Sequence, residues 1–450
     1  MCSKYAATIF IVLAVATALF SGSSFAQSKQ KKRSKLKDFG SSLERLRWDP
    51  IKQRAVESKP RPMATAGDDG DDVIRIETNL VTSDILVVDP RGNLVENLTA
   101  DDFLVTEDGE RQRVVHFQKG DSATIPRSIV LIIDYSGSQF PFLRRSIDAA
   151  KLMVDKLRPI DVMAIVTDDV ELLVDFTSDK DKLKKKLESL VERTQAGNSL
   201  FGLISNRRFG KSAQYSALMA TLNEAFIEED LRPIIVFQTD GDQIYNLQDP
   251  VLRISLPPDL PDDVKAEYEQ NQRTRRLQFE RSVEFSLADV YRAADNSRAT
   301  IYTVIPGFRL MDKTPEQQLE LQRKQTQAQY NSIMDRMNDK LKENFQLQLK
   351  RYRVFSAANL MFGAQQNTIT QTALAAVAPR TGGWTEFLET PEQADGIYNR
   401  VLADINHRYI VGYYPTNKEH DGSRRKIKFE IKSHPDYSVL GRTAYYAPSP

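Results

Sequence analysis

SIVLIIDYSGS, residues 128–138, decides the fold of this chain. Ile129 to Ile133 are apolar without alternation, the pattern of a strand buried on both faces and therefore of a parallel sheet covered by helices. The run stops at a carboxylate, Asp134, and two hydroxyls follow at Ser136 and Ser138. Ligands of open α/β sheets bind outside the carboxyl ends of the strands, so these three oxygen-bearing side chains are predicted to face one crevice. Taken alone the spacing is weak, because Asp and Ser are also ordinary caps of the helix that follows such a strand.

Working outward, strand and helix patterns alternate. FLRRSIDAAKLMVDKL (142–157) has helical spacing, VMAIVT (162–167) and ELLVDFT (171–177) read as strands, and DKDKLKKKLESLVERT (179–194) reads as a helix. SAQYSALMATLNEAFIEE (212–229) and FSLADVYRAADNS (285–297) are predicted helices, as is TQTALAAVAPRTGG (370–383). RPIIVFQTD (232–240) and TIYTVIP (300–306) are predicted strands. Strands separated by helical crossovers give a doubly wound, mostly parallel sheet. Thr314 to Phe355 interrupts the alternation. With Tyr330, Ile333, Met334, Met337, Leu341 and Phe345 three or four apart, it is predicted to be one long amphipathic helix. That helix either packs back on its own domain or serves as a docking arm.

The flanks are of β character. From Val73 to Gln118, short β-branched runs are broken by the turn pairs Arg91-Gly92 and Asp108-Gly109. After Asn406, HRYIVGYYPTN and RRKIKFEIKSHPDYSVLGRTAYYAP return to the same pattern, and their strands are candidates to complete the sheet begun at Val73. At the N-terminus, Lys4 precedes an apolar run from Tyr5 to Phe20, and small residues Ser24 and Ala26 close it, as in an export signal cut after Ala26. The run is shorter than the roughly 20 apolar residues that span a bilayer, and no second such stretch follows. The expected organisation is therefore a signal peptide at 1–26 and a flexible basic linker at 27–72. A β region at 73–120, an α/β domain at 127–406 with a helical insertion at about 312–356, and a C-terminal β segment at 407–450 complete it. The chain is expected to be exported, periplasmic or secreted.

Composition removes several function classes. Lysine and arginine total 62 against 61 acidic residues, so no global basic field exists to gather phosphates and a nucleic-acid partner is not expected. The single cysteine, Cys2, lies in the export signal, leaving no thiol for a disulfide, metal site or nucleophile. Four histidines, His116, His407, His420 and His434, leave little for zinc or triad chemistry.

Two more pieces fall on predicted loops: Gly210-Lys211-Ser212 before a helix, and Thr239-Asp240-Gly241-Asp242 after a strand. With Asp134-Tyr135-Ser136-Gly137-Ser138 they resemble the von Willebrand factor type A family. Its metal-ion-dependent adhesion site combines Asp-x-Ser-x-Ser with a threonine on a second loop and an aspartate on a third. The resemblance implies metal ligation by Asp134, Ser136, Ser138, Ser212 in the threonine position, and Asp240; serine there keeps the hydroxyl and loses a methyl. It further implies Mg²⁺, with Mn²⁺ or Ca²⁺ as competitors, and a protein ligand that presents a carboxylate. Hard divalent cations take oxygen donors of this kind. The upstream VVDPRGNLVENLTADDFLVTEDGERQRVVHF, TGGW at 381–384 and the terminal YIVGYYPTN with GRTAYYAP extend the resemblance to the acidobacterial-type VWFA-related family of exported bacterial proteins.

Other motifs read more blandly. Asp240-x-Asp242 is no EF-hand, since the sixth loop position would be Tyr245 and not glycine. TGGW reads as a turn needing a glycine at positive φ. Arg207 and Arg208 are solvated loop residues or a clamp for an acidic ligand at the metal rim. The leading expectation is a binding protein and not an enzyme. Its alternatives are an assembly component acting through the long helix, and a metal-assisted hydrolase, for which the predicted site lacks an evident general base.

Overall fold

The computed structural model describes residues 80–119, 125–195, 213–227, 232–247, 285–335, 337–351 and 353–449, with short pieces at 36, 39–40, 43, 46–49, 54–57, 262 and 265–266. The predicted export signal, most of the linker, Arg207, Arg208 and Ser212 lie outside the described residues. The strands are β1 (Leu46–Asp49) and β2 (Arg54–Glu57), which pair with each other, then β3 (Val81–Val88), β4 (Phe103–Glu107), β5 (Glu110–Gln112) and β6 (Val114–Lys119). β7 (Arg127–Ile133), β8 (Val162–Thr167), β9 (Leu172–Thr177), β10 (Arg232–Gln238), β11 (Thr300–Pro306) and β12 (Thr385–Leu388) form the central sheet. β13 (Tyr409–Tyr413), β14 (Arg424–Ile431), β15 (Ser438–Leu440) and β16 (Ala444–Tyr446) follow.

The central sheet runs β12-β11-β10-β7-β8-β9. Every neighbouring pair is parallel except β8 with β9 at one edge. Counted along the chain within the sheet, this is the doubly wound order 3-2-1-4-5-6. β7 and β10 are buried at every position, which is why their sequences show no alternation. The fold class is therefore the mostly parallel α/β sheet that SIVLIID predicts.

Helix α1 (Phe140–Asp155) opens with a proline in its first turn and buries Leu143, Ile147, Ala150 and Val154, an apolar stripe at spacings of three and four. With α2 (Lys180–Gln195) it covers one face of the sheet, joined there by Ile397, Val401 and Ile405 of α8 (Ala394–Asn406). The opposite face carries α3 (Gln214–Ala220), whose Tyr215 meets Phe237 edge-on at 6.4 Å, and α7 (Ala357–Ala375). α4 (Leu287–Asn296) packs beside α3 and begins with a capping box between Ser286 and Asp289.

The flanking strands form two antiparallel sheets, β15-β3-β13-β6 and β16-β14-β4-β5. β13 lies between β3 and β6, and β14 pairs with β4, so strands from either side of the α/β segment share both sheets. Their inner faces bury Ile85, Val87, Phe103, Val105, Val411, Phe429 and Ile431 in one core. In β14 the alternation Arg425, Ile427, Phe429, Ile431 inward and charged residues outward is that of a half-buried strand.

The segment from Thr314 to Phe355 is not one helix. It breaks into α5 (Pro315–Met334) and α6 (Asp339–Arg351). The break falls where Asn338 accepts a hydrogen bond from the Leu341 N–H at 3.1 Å and starts a new helix, a local capping choice that outweighs the continuing apolar stripe. The two helices fold back so that Tyr330 meets Phe345 and Phe355 at ring distances of 5.5 and 5.8 Å. Met337 is buried, and Ile333, Met334, Leu341 and Phe345 are half-buried. No helix among the described residues is long and apolar enough to cross a membrane.

Candidate metal centre

β7 and β10 are adjacent, and the chain leaves them toward opposite sides of the sheet order. Between their carboxyl ends lies the crevice where a doubly wound sheet binds ligands. Asp134 follows β7 directly, and its N–H donates to the Gln238 carbonyl at the end of β10 at 3.0 Å, which fixes the two loops together. Its carboxylate is fully buried. Oδ1 accepts the Ser136 N–H at 2.9 Å, and Oδ2 accepts the Thr239 hydroxyl at 2.9 Å and the Gln214 amide at 3.2 Å.

The hydroxyls of Ser136 and Ser138 stand 3.0 Å apart, and Ser138 Oγ donates to Asp240 Oδ2 at 2.5 Å. Gln139 Nε2 donates to the same oxygen at 2.7 Å. Thus four of the five predicted ligands, Asp134, Ser136, Ser138 and Asp240, form one hydrogen-bonded group. The fifth, Ser212, lies outside the described residues. Its neighbour Ala213 donates its N–H to the Asp168 carbonyl at 2.7 Å, and Asp168 in turn accepts the Tyr135 N–H at 3.2 Å, so the second loop reaches the first through the end of β8.

Several contributors were not singled out by the sequence. Gln214, fully buried at the start of α3, bridges Asp134 and Asp242, donating to the latter at 2.7 Å, while its own carbonyl accepts the Gln243 N–H at 3.1 Å. Thr239 also accepts the Gly241 N–H at 2.9 Å, pinning the turn that presents Asp240. Gly241 sits at φ +70°, and a Cβ there would come within 2.6 Å of Leu374 on α7. Gln139 directly follows Ser138, Thr239 opens the third motif without a role assigned to it there, and Gln214 lies two residues beyond Ser212. Proximity was therefore the available signal, but a glutamine at a helix start is otherwise unremarked.

The electrostatics are those of a site short of positive charge. Burial, then the charges of Asp242 and Asp134, push the Asp240 carboxyl well above its usual range, against the opposing hydrogen bonds from Ser138 and Gln139. Asp240 Oδ1 is buried and has no hydrogen-bond partner among the described residues, and the same holds for Gln139 Oε1. A buried carboxylate oxygen without a donor is costly in a folded chain. A cation among these oxygens would supply what the orphaned atom lacks. The donor set, two carboxylates and two hydroxyls, has the hard all-oxygen chemistry that Mg²⁺, Mn²⁺ and Ca²⁺ accept, so the residues fit the ion.

TGGW has no part in this site. Gly382 lies at φ +82° with the Gly441 backbone 2.6 Å from where a Cβ would stand, and Trp384 Nε1 donates to Asp404 at 2.7 Å. The turn is structural, as positive φ at that glycine requires.

No family model matches the sequence, and no curated protein matches it. Among solved structures, a von Willebrand factor type A protein from Catenulispora acidiphila is 9% identical, with 82% of this chain and 73% of that one covered at a TM-score of 0.29. The manganese-loaded TRAP protein of Plasmodium vivax is 10% identical, covering 78% and 100% at a TM-score of 0.27. Proximal thread matrix protein 1 of the mussel byssus is 14% identical, covering 41% of this chain at a TM-score of 0.22, and the chain spans only 38% of that protein. With scores this low the likeness adds nothing to what the strand order already establishes.

Proposed function

We propose that the protein is an exported recognition module that binds a partner protein through a divalent cation. Asp134, Ser136, Ser138, Ser212 and Asp240 would hold the ion, Mg²⁺ with Mn²⁺ or Ca²⁺ as competitors. When bound, the ion supplies a positive centre for a carboxylate of the partner. The observation that carries this reading is the buried, unpartnered Asp240 Oδ1 at the doubly wound switch point, beside two hydroxyls and the Asp134 carboxylate. Thr239 and Gln214 hold Asp134, and Ser138 and Gln139 hold Asp240, so the oxygens are oriented before any ion arrives. No covalent chemistry is invoked. Two carboxylates and neutral hydroxyls suit capture of an anionic group better than activation of water.

The test is retention of the chain on beads displaying Asp- or Glu-containing peptides in Mg²⁺ and in chelator. Retention should require the ion and disappear in Asp134→Ala. Binding that persists in chelator and is lost on deleting 314–355 would instead support assembly through α5 and α6.

A further inference from the structure

Away from the metal centre, α4, the start of β3 and the C-terminal segment line an open cavity of about 930 Å³. Its described wall carries four cationic side chains, Arg292, Arg298, Lys418 and Arg442, against one carboxylate, Glu419. Arg442 is the unusual member. It is buried, yet among the described residues Nε and Nη2 donate only to backbone carbonyls, those of Asp295 at 3.1 and 2.6 Å and of Ala444 at 2.9 Å. The nearby Asp295 carboxylate is engaged by Arg380 and Arg424 instead. Burial accordingly lowers the Arg442 guanidinium to about 10. Arg292 and Lys418 make no ion pair among the described residues either; Arg292 lies 5.6 Å over the ring of Tyr446, as Arg442 does over Tyr445. Tyr414, 49% exposed, also lines the cavity and presents an unburied aromatic surface.

A buried guanidinium without a carboxylate partner is a stored demand for negative charge, and an aromatic wall beside it accepts a ring or an apolar body. A volume of this size suits a small molecule. We propose that this cavity binds a small organic anion, a carboxylate or phosphate attached to a ring, with the acidic group toward Arg442 and Arg292 and the ring on the tyrosines. The site shares no residue with the metal centre and needs no metal.

The test is titration of the anionic fluorophore 8-anilinonaphthalene-1-sulfonate into the full chain, with phenyl phosphate, phenylacetate and neutral benzyl alcohol as competitors. One saturable site is expected, displaced by the two anions and not by the alcohol, and unchanged by chelator. The exposed pair Arg292→Glu, Lys418→Glu should weaken the fluorophore at least tenfold, while the same reversal at Lys182 and Lys185 on α2 leaves it unchanged. This pair avoids the buried Arg442, whose replacement risks the fold. Stronger competition by phenyl phosphate than by phenylacetate, or the reverse, supports the proposal and assigns the acidic group. Absence of saturable binding, equal competition by benzyl alcohol, or undiminished binding by the charge-reversed pair overturns it.

Discussion

Replacing Gly241 by alanine perturbs the turn between Asp240 and Asp242 without touching either carboxylate. A Cβ at this position would stand 2.6 Å from Leu374 Cδ1 and 2.8 Å from its Cγ, and the backbone there has φ +70°. Two costs combine. The left-handed conformation disfavours an L side chain by about 1–2 kcal/mol, and forcing an extra carbon into a filled core costs about 1–3 kcal/mol. Leu374 is fully buried on α7, so it has no solvent to swing into. The expected loss is about 2–5 kcal/mol, read as a lower urea midpoint at unchanged slope. Leu374→Ala alone should cost about 2–5 kcal/mol through its cavity. In the double variant the missing isobutyl group makes room for the new methyl, so the combined loss should fall short of the sum by about 1–3 kcal/mol. Unfolding of Gly241→Ala at the wild-type urea concentration, or simple addition of the two losses, would exclude a clash with Leu374.

Further expectations follow from the buried polar groups. Burial alone would raise Asp161, but hydrogen bonds from Arg127 and Arg158 outweigh it and hold its carboxyl at about 2, below the ordinary 3.8. Its folded value is depressed, so its stabilisation, about 2 kcal/mol, is complete above the unfolded value and is lost as pH falls from about 4 through 2; Asp161→Asn should flatten that limb of a stability-against-pH curve. Asp404 binds Arg408 at 2.6 Å with both side chains buried, and Arg408 also donates to the carbonyls of Gly382 and Asp84 at 2.7 and 3.1 Å. Asp404→Ala strands that guanidinium and should cost about 3–5 kcal/mol in urea unfolding. Gln214→Ala frees Asp134 and Asp242 from their shared donor and should weaken Mg²⁺ binding by roughly 10–100-fold in calorimetry, as loss of an orienting partner does.

How far the sequence could be read varied with the kind of signal. The unbroken apolar runs at 129–133 and 234–237 are too short for a buried helix and rich in β-branched residues, so with the helical patterns between them the parallel sheet was legible. Strand ends place Asp134, Ser136, Ser138 and Asp240 at the crevice, but that spacing alone reads equally as helix caps; their grouping as ligands came from the resemblance to the von Willebrand factor type A family. Gln139 and Gln214 were not, because a glutamine carries no periodicity and its role depends on which carboxylate lies across the crevice. The break between α5 and α6 was missed for a related reason: Tyr330 and Phe345 keep helical spacing on both sides of it, and the cap at Asn338 interrupts the backbone without disturbing the stripe. That β13 lies between β3 and β6 is a long-range pairing, and alternation identifies a strand without naming its neighbours.

The oxygens around Asp240 are proposed to hold a divalent ion. Calorimetric titration of Mg²⁺ and Mn²⁺ into chelator-stripped protein, beside a folded Asp134→Ala, Asp240→Ala double variant, addresses this directly. Saturable binding of about one ion that the variant lacks is expected of a single all-oxygen site. No binding by the wild-type chain, or equal binding by both proteins, would contradict the proposal.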